Sequence, residues 1–264
     1  MLLSLTIFAL LGMVAGLLAG LFGIGGGLVM VPALIYLLPP LGVSGNALAH
    51  MAVGTSLACV SLIAINSARS HHHRDGVDWR VFRWLAPGMV VGALAGAAVA
   101  DSVSSLFLQR LIGVAAVLMA VRMFIEMKPS PSRELPGKAG LIGVGGGIGG
   151  LSALLGIGGG SLTVPFLSWC RLPMARAVGT SAACGMPIAW AGTGGMIWAG
   201  LDEPGRGVWS IGFVQPLAVA GIVLGSLVFT PLGVRLAHHL PGAWLRRAFA
   251  VLLMIVGLDM LLTI

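Results

Sequence analysis

The chain is 264 residues long, 58% apolar and only 9% charged, with 41 glycines and a mean hydropathy of +1.03. An ordinary soluble domain is about 45–50% apolar and about 25% charged, which excludes a soluble enzyme, a disordered chain and a secreted disulfide scaffold and leaves an integral membrane protein in contact with the lipid bilayer. The net charge of +7 then reflects basic loops gathered on one side of a membrane rather than a nucleic-acid partner.

Apolar runs of about 17–25 residues recur along the chain, so helices rather than a β-barrel are expected to span the bilayer. The first run, 3–38, would be near 50 Å long as one helix at about 1.5 Å per residue, too long for a hydrocarbon core of about 30 Å. It is expected to break at Phe22-Gly23-Ile24-Gly25-Gly26-Gly27. It has no basic n-region, so it reads as part of the mature protein and not as a signal peptide. Three uninterrupted spans follow at 50–68, 81–100 and 104–127. Residues 128–138, Lys-Pro-Ser-Pro-Ser-Arg-Glu-Leu-Pro-Gly-Lys, have the composition of a cytoplasmic linker. A second interrupted run, 139–170, precedes spans at 176–199, 210–234 and 244–263.

The two halves, 1–127 and 139–264, repeat one another. Phe22-Gly23-Ile24-Gly25-Gly26-Gly27 with Val31-Pro32 returns as Leu155-Gly156-Ile157-Gly158-Gly159-Gly160 with Val164-Pro165, and Val53-Gly54-Thr55-Ser56 with Cys59 returns as Val178-Gly179-Thr180-Ser181 with Cys184. Pro87, Gly92 and Gly96 answer Pro216, Gly221 and Gly225. The fold class that follows is an all-α membrane protein of two repeats, each a Gly-broken helical hairpin followed by three transmembrane helices.

If each broken stretch turns back at its glycines, the loops at 69–83, 122–138, 171–176 and 235–247 share one side. Thirteen of the fifteen Lys and Arg then face the cytoplasm, leaving Arg110 and Arg206 outside with Asp202 and Glu203. This charge pattern favours inverted-topology repeats with both termini outside. Trp79, Trp84, Trp169, Trp198, Trp209 and Trp244 fall near the proposed span ends, where indoles collect, and Trp190 falls inside a span.

The chemistry concentrates at the two breaks. After each, a short helix begins near Leu28 and near Ser161, with Pro32 and Pro165 close to its first turn. Its free N–H groups and positive dipole end point at the turn, which makes an anion site. Non-helical backbone at membrane depth survives only where protein buries it or it lines a cavity. The candidate site is therefore Gly25, Gly26, Gly27 and Leu28 with Thr55 and Ser56, and Gly158, Gly159, Gly160 and Ser161 with Thr180 and Ser181. The hydroxyls would complete an oxyanion's coordination, or else bond back to their own helices. Ser161 and Thr163 are the weaker hydroxyls, because Leu28 and Met30 replace them in the first half.

Other features carry less. Gly12, Gly16, Gly92, Gly96, Gly221 and Gly225 read as helix-packing positions. Gly145-Gly146-Gly147-Ile148-Gly149-Gly150 matches a dinucleotide fingerprint in form only, with no strand before it and no acidic residue about 20 positions on. His71, His72 and His73 lie consecutively on a basic loop without metal-ligand spacing, and Cys59, Cys170 and Cys184 show no C-x-x-C pair. Asp101, Glu126 and Asp259 lie near span ends, so none reads as a buried proton carrier. No metal or cofactor is expected, a catalytic role for Ser56 or Ser181 lacks a histidine partner, and the composition is compatible with a homodimer.

The duplicated G-I-G-G-G…V-P and V-G-T-S motifs resemble the TauE/SafE family of bacterial sulfite exporters and related anion permeases, over essentially the whole length. The resemblance implies export of a small sulfur-containing anion such as sulfite, sulfoacetate or a related organosulfonate. It places the substrate at Gly25–Gly27 with Thr55 and Ser56, and at Gly158–Gly160 with Thr180 and Ser181. A passive anion channel would use the same binding chemistry.

Overall fold

A computed structural model of the protein describes residues 2–22, 26–43, 45–125, 134–207, 209–239 and 242–262. Gly25 and most of the linker, 128–133, lie outside the described residues. Among those described the chain is helical without a strand: α1 (Leu2–Phe22), α2 (Gly27–Leu37), a 3₁₀ turn (Pro39–Leu41), α3 (Gly45–His72), α4 (Trp79–Ser102), α5 (Ser105–Phe124), α6 (Lys138–Leu155), α7 (Gly160–Trp169), α8 (Met174–Ala199), α9 (Pro216–His239) and α10 (Gly242–Leu262). Helices α3, α4, α5, α6 and residues Pro216–Gly233 of α9 are each long and apolar enough to cross a membrane.

Each interrupted run divides into one long helix and one short one. Helix α1 has 21 residues and α2 has 11, while α6 has 18 and α7 has 10. At about 1.5 Å per residue α2 and α7 are only about 15–17 Å long, half a bilayer core. Both begin one residue earlier than the sequence suggests, at Gly27 and Gly160, because the preceding glycine takes up the turn. Gly26 (φ 69°) and Gly159 (φ 74°) are left-handed, a conformation that disfavours any side chain.

Small residues set how the helices meet. A Cβ on Gly92 would stand 2.0 Å from the Gly146 carbonyl oxygen, and one on Gly96 would stand 2.5 Å from that of Gly150. Gly145 and Gly149 in turn accommodate Leu85 and Met89, so the glycine run of α6 is a packing face against α4. Its counterpart pair is α1 with α9, where Gly12 faces Ile222, Gly16 faces Ser226 and Gly225 faces Ala9. The Ser226 hydroxyl also donates to the Gly12 carbonyl at 3.0 Å. In both pairs residue numbers rise together, so the two helices run parallel.

Equivalent helices of the two halves instead meet antiparallel. Along α3 and α8, Gly54 faces Met196, Leu57 faces Gly192 and Ala64 faces Gly185. Along α5 and α10, Gly113 faces Leu261 and Val117 faces Gly257. Exchanging the halves maps α1·α9 onto α6·α4 and maps α3·α8 and α5·α10 onto themselves. Trp190, the indole inside a span, bridges this centre by donating to the Ser61 carbonyl at 3.2 Å. At the rim, the Tyr36 hydroxyl of α2 donates to the Asp259 carboxylate of α10.

Two matching clasps join the halves. The Thr55 hydroxyl accepts from the Gln215 backbone N–H at 3.0 Å, and the Thr180 hydroxyl accepts from that of Asp78 at 2.9 Å. Beside each threonine a glycine admits a carbonyl: a Gly54 Cβ would stand 2.3 Å from the Phe213 oxygen and a Gly179 Cβ 2.2 Å from the Gly76 oxygen. The tight turns that feed the clasps share a left-handed residue, Gly212 (φ 54°) and Asp75 (φ 51°). This is why α9 starts at Pro216 and not near 210 as the sequence suggests: residues 211–215 form the turn and clasp. On the other side, Asp78 caps α4 through its carboxylate, which accepts from the Arg80 and Val81 N–H groups.

The clasps place the loops at two ends of the bundle. The 73–78 turn meets the start of α8, so the basic residues Arg74, Arg80, Arg171 and Arg176 share one end. There Lys138 and Arg83 lie 5.1 and 5.4 Å from the Trp84 ring, and Trp79 donates to His72. Asp101, Asp202 and Glu203 lie at the opposite end, where α4 gives way to α5 and α8 to α9.

Replacing Thr55 or Thr180 with Val leaves a buried N–H unpaired and is expected to cost about 1–3 kcal/mol each, with Ser in either place restoring most of it; denaturant titration in detergent measures this. Gly92→Leu is expected to abolish folding by forcing α4 from α6, whereas Gly147→Ala, with open space at its Cβ, should leave the elution profile and melting temperature unchanged.

Candidate anion site at the second helix break

The two breaks touch. A Cβ on Gly27, the first residue of α2, would stand 2.9 Å from the Gly156 carbonyl oxygen and 3.1 Å from the Ile157 Cα. Gly156 itself rests against Val31 and Val53, and Gly158 against Val60 of α3. Residues from both halves therefore wall the second break, and Leu28 is buried beside it with 8% of its surface exposed.

The two serines predicted for the site both reach this break. The Ser56 hydroxyl donates to the Gly156 carbonyl at 2.8 Å, across from the other half, and that of Ser181 lies 3.5 Å from the Gly160 carbonyl. Thr55 and Thr180, one residue earlier on each helix, point into the clasps instead. Successive helical residues lie about 100° apart around the axis, so a V-G-T-S motif serves two neighbours: Gly and Thr hold the opposite half, and Ser faces the break.

Helix α7 presents an uncapped N-terminus here. The Gly159 carbonyl accepts from Leu162 at 3.1 Å and Thr163 at 2.8 Å, and no side chain caps the helix. The N–H groups of Gly160 and Ser161 belong to the first turn, which has no intrahelical acceptors for them, and the helix dipole adds a partial positive charge. Pro165 sits within α7, and Pro32 holds the matching place in α2.

Around this end lie three hydroxyls whose oxygens are buried without a partner, those of Ser152, Ser161 and Thr163. Ser152 and Thr163 are completely buried. From the point where a Gly159 Cβ would stand, the Ser152 oxygen is 3.4 Å and the Thr163 oxygen 3.7 Å away, with Ile188 Cδ1 closing the third side at 2.4 Å. Unpaired hydroxyls at such depth are costly, so their convergence on free N–H groups marks a place for an acceptor-rich guest. No carboxylate, lysine or arginine stands among these residues. A helix end and hydroxyl donors of this kind are chemically suited to an anion, with no full countercharge to trap it.

The first break lacks these hydroxyls: the positions that correspond to Ser152, Ser161 and Thr163 hold Ala19, Leu28 and Met30. Thr163, which the sequence ranks low for want of a counterpart, is thus a principal member of the site. Ser152 goes unnoticed in sequence because it lies on a long helix, four residues before the glycine motif. Its only signal is an i, i+4 spacing to Gly156. Among the described residues no cluster of His, Cys, Asp or Glu could hold a metal. His72 and His73 are exposed at the end of α3, and all three cysteines are buried outside any disulfide.

The chain matches the family model described as sulfite exporter TauE/SafE over residues 8–260. It is 35% identical over 255 residues to a probable membrane transporter protein of Haemophilus influenzae, covering 96% of each chain. A probable membrane transporter protein of Methanocaldococcus jannaschii is 28% identical over 264 residues, covering 99% of this chain and 97% of its own. One from Bacillus subtilis is 25% identical over 272 residues, covering 96% and 98%. No solved structure matches. With a membrane-spanning helical bundle, a duplicated broken-helix motif and a family match that runs almost from end to end, the chain belongs to the TauE/SafE sulfite exporter family of membrane transporters.

Proposed function

We propose that the protein is a secondary transporter that exports a small sulfur-containing anion, such as sulfite or sulfoacetate, across the bacterial inner membrane. The observation that carries this reading is the pair of buried, unpartnered hydroxyls, Ser152 and Thr163, at the uncapped start of α7. An oxyanion there would accept from both hydroxyls, from Ser161 and from the first-turn N–H groups. Ser56 and Ser181 hold the walls of the break. The backbone of Gly158, Gly159 and Gly160 forms its floor, and Gly26, Gly27 and Leu28 close it from the other half.

Alternating access in this proposal comes from one half rocking against the other about the shared site, as inverted repeats do. The antiparallel contacts of α3 with α8 and of α5 with α10 support that arrangement. The gathering of basic residues at one end of the bundle supports a cytoplasmic assignment for that end. The start of α1 and the end of α10 lie toward the opposite, acidic end, which supports reading that end as external. An interior negative by about 100 mV favours loss of a monovalent anion by about 2.3 kcal/mol, so the membrane potential can drive export. All the donors come from one chain, so the site needs no second copy.

Flux of labelled sulfite from reconstituted vesicles, competed by sulfoacetate, thiosulfate, sulfate and chloride, tests the proposal. The expected result is saturable, sulfur-anion-selective flux with exchange across the membrane; non-saturating flux without exchange would identify a channel instead. Ser152→Ala and Thr163→Val should each raise the half-saturation concentration about 10- to 150-fold, the loss of one charge-assisted hydrogen bond at about 1.5–3 kcal/mol, without loss of thermal stability. Gly159→Val should abolish flux, since its Cβ would collide with Ile188 in a left-handed backbone. Wild-type half-saturation in the Ser152→Ala/Thr163→Val double variant would remove the anion from this break.

A further inference from the structure

A second polar site lies at the acidic end of the bundle, away from the helix breaks. It is a cavity of about 270 Å³ lined by Asn46, His50, Asp101, Val103, Ser104, Ser105, Glu203 and Phe213. His50 is 95% buried, with 5% of its surface exposed. Its Nε2 lies 2.9 Å from the Ala100 carbonyl oxygen, and its Nδ1 is buried without a partner. A carbonyl only accepts, so Nε2 carries the hydrogen and the neutral ring keeps a bare lone pair on Nδ1.

We infer that His50 is the proton-binding group of a polar vestibule that it lines together with Asp101 and Glu203. Binding is a simple addition. The Nδ1 lone pair takes the proton, the Nε2–H bond to Ala100 is kept, and the resulting N–H becomes a donor without any turn of the ring. The elements packed around His50 bring Asp101 from the end of α4, Asp202, Glu203 and Arg206 from the 201–207 segment, and Arg110 on the outer side of α5. Of these, only Asp101 and Glu203 line the cavity with His50. Asn46, Ser104 and Ser105 supply polar atoms that can hold water along the way. Gln109, whose Oε1 is also buried without a partner, adjoins the wall through Ser105.

The position of His50 gives a proton there something to act on. Its ring stacks on Phe213, with centroids 5.0 Å apart and planes 28° apart. Phe213 is the residue whose carbonyl nests on Gly54, two residues before the N–H held by Thr55. A charge on His50 therefore arises against the face of an aromatic ring in the very clasp that joins one half to the other. Coupling of this proton to anion movement rests on the transport reading above; binding of the proton does not.

The experiment has two arms. The first follows the imidazole resonances of histidine-labelled full-length protein in detergent between about pH 5 and 8, using His50→Gln to identify the His50 signal. The expected result is a His50 signal that responds to pH and whose response changes in Asp101→Asn/Glu203→Gln; a His50 signal that does not respond, or one that ignores the double substitution, would overturn the site. The second arm measures wild-type and His50→Gln flux while only the pH on the cavity side is varied. A severalfold pH response present in wild type and absent in His50→Gln supports coupling, and equal responses overturn it. Should His50→Gln fail to fold, Asp101→Asn/Glu203→Gln serves in its place, with a flux response to pH expected to differ from that of wild type. Absence of any anion flux from folded wild-type protein would count against the transport reading, while the first arm would still decide the proton site.

Discussion

Backbone polar groups removed from water must find partners, and in a bilayer that requirement governs more than side-chain hydrophobicity does. Helices satisfy their own, so the difficulty falls on the places where this chain is not helical within the bundle. Among the described residues these include the glycine before α2, the glycine break after α6, and the turns before α4 and α9. The turns are served by Thr55 and Thr180, each a hydroxyl from the opposite half. For the break after α6, Ser56 of the opposite half covers the Gly156 carbonyl. The interface between the halves is thus also the device that makes irregular backbone tolerable at depth, which explains why hydroxyl and glycine stand side by side in V-G-T-S.

Close approach is the second requirement, because a hydroxyl can serve a distant backbone only if the helices carrying both are nearly in contact. Glycines at 12, 16, 92, 96, 145 and 149 allow this by admitting carbonyls where a methyl group would stand. In lipid this packing must itself supply cohesion, since moving an apolar side chain from tail to protein gains little. The wide exposure of leucine, valine and isoleucine on the outer faces fits the same logic, with bulky residues toward the membrane and small ones toward neighbours.

Much of this was legible in the sequence because it is written locally. The breaks announce themselves as three consecutive glycines, the halves by repetition at fixed spacing, and the membrane by composition. The sequence could not show which hydroxyl serves which partner. Thr55 and Ser56 are adjacent in the chain yet face a turn 160 residues away and a break 100 residues away. Ser152 and His50 stayed hidden for the same reason: each is a single polar residue on a long helix, and only the packing shows it to be buried with an unpaired atom. Thr163 has no hydroxyl counterpart in the first half, where Met30 stands, so repetition gives no sign of it.

That difference is better taken as the functional signal. A transporter built from two equivalent halves needs an equivalent scaffold, since each half must rearrange against the other, and the clasps and packing faces supply it twice over. The cargo is single, and two identical sites a few ångströms apart would each bring an anion toward the other's charge. In the proposed site Ser152, Ser161 and Thr163 stand at the second break, while the corresponding sequence positions of the first half hold Ala19, Leu28 and Met30, so the hydroxyl donors belong to one break alone. Duplicated motifs hence mark what must move in concert, and departures from duplication mark where a single small molecule is held.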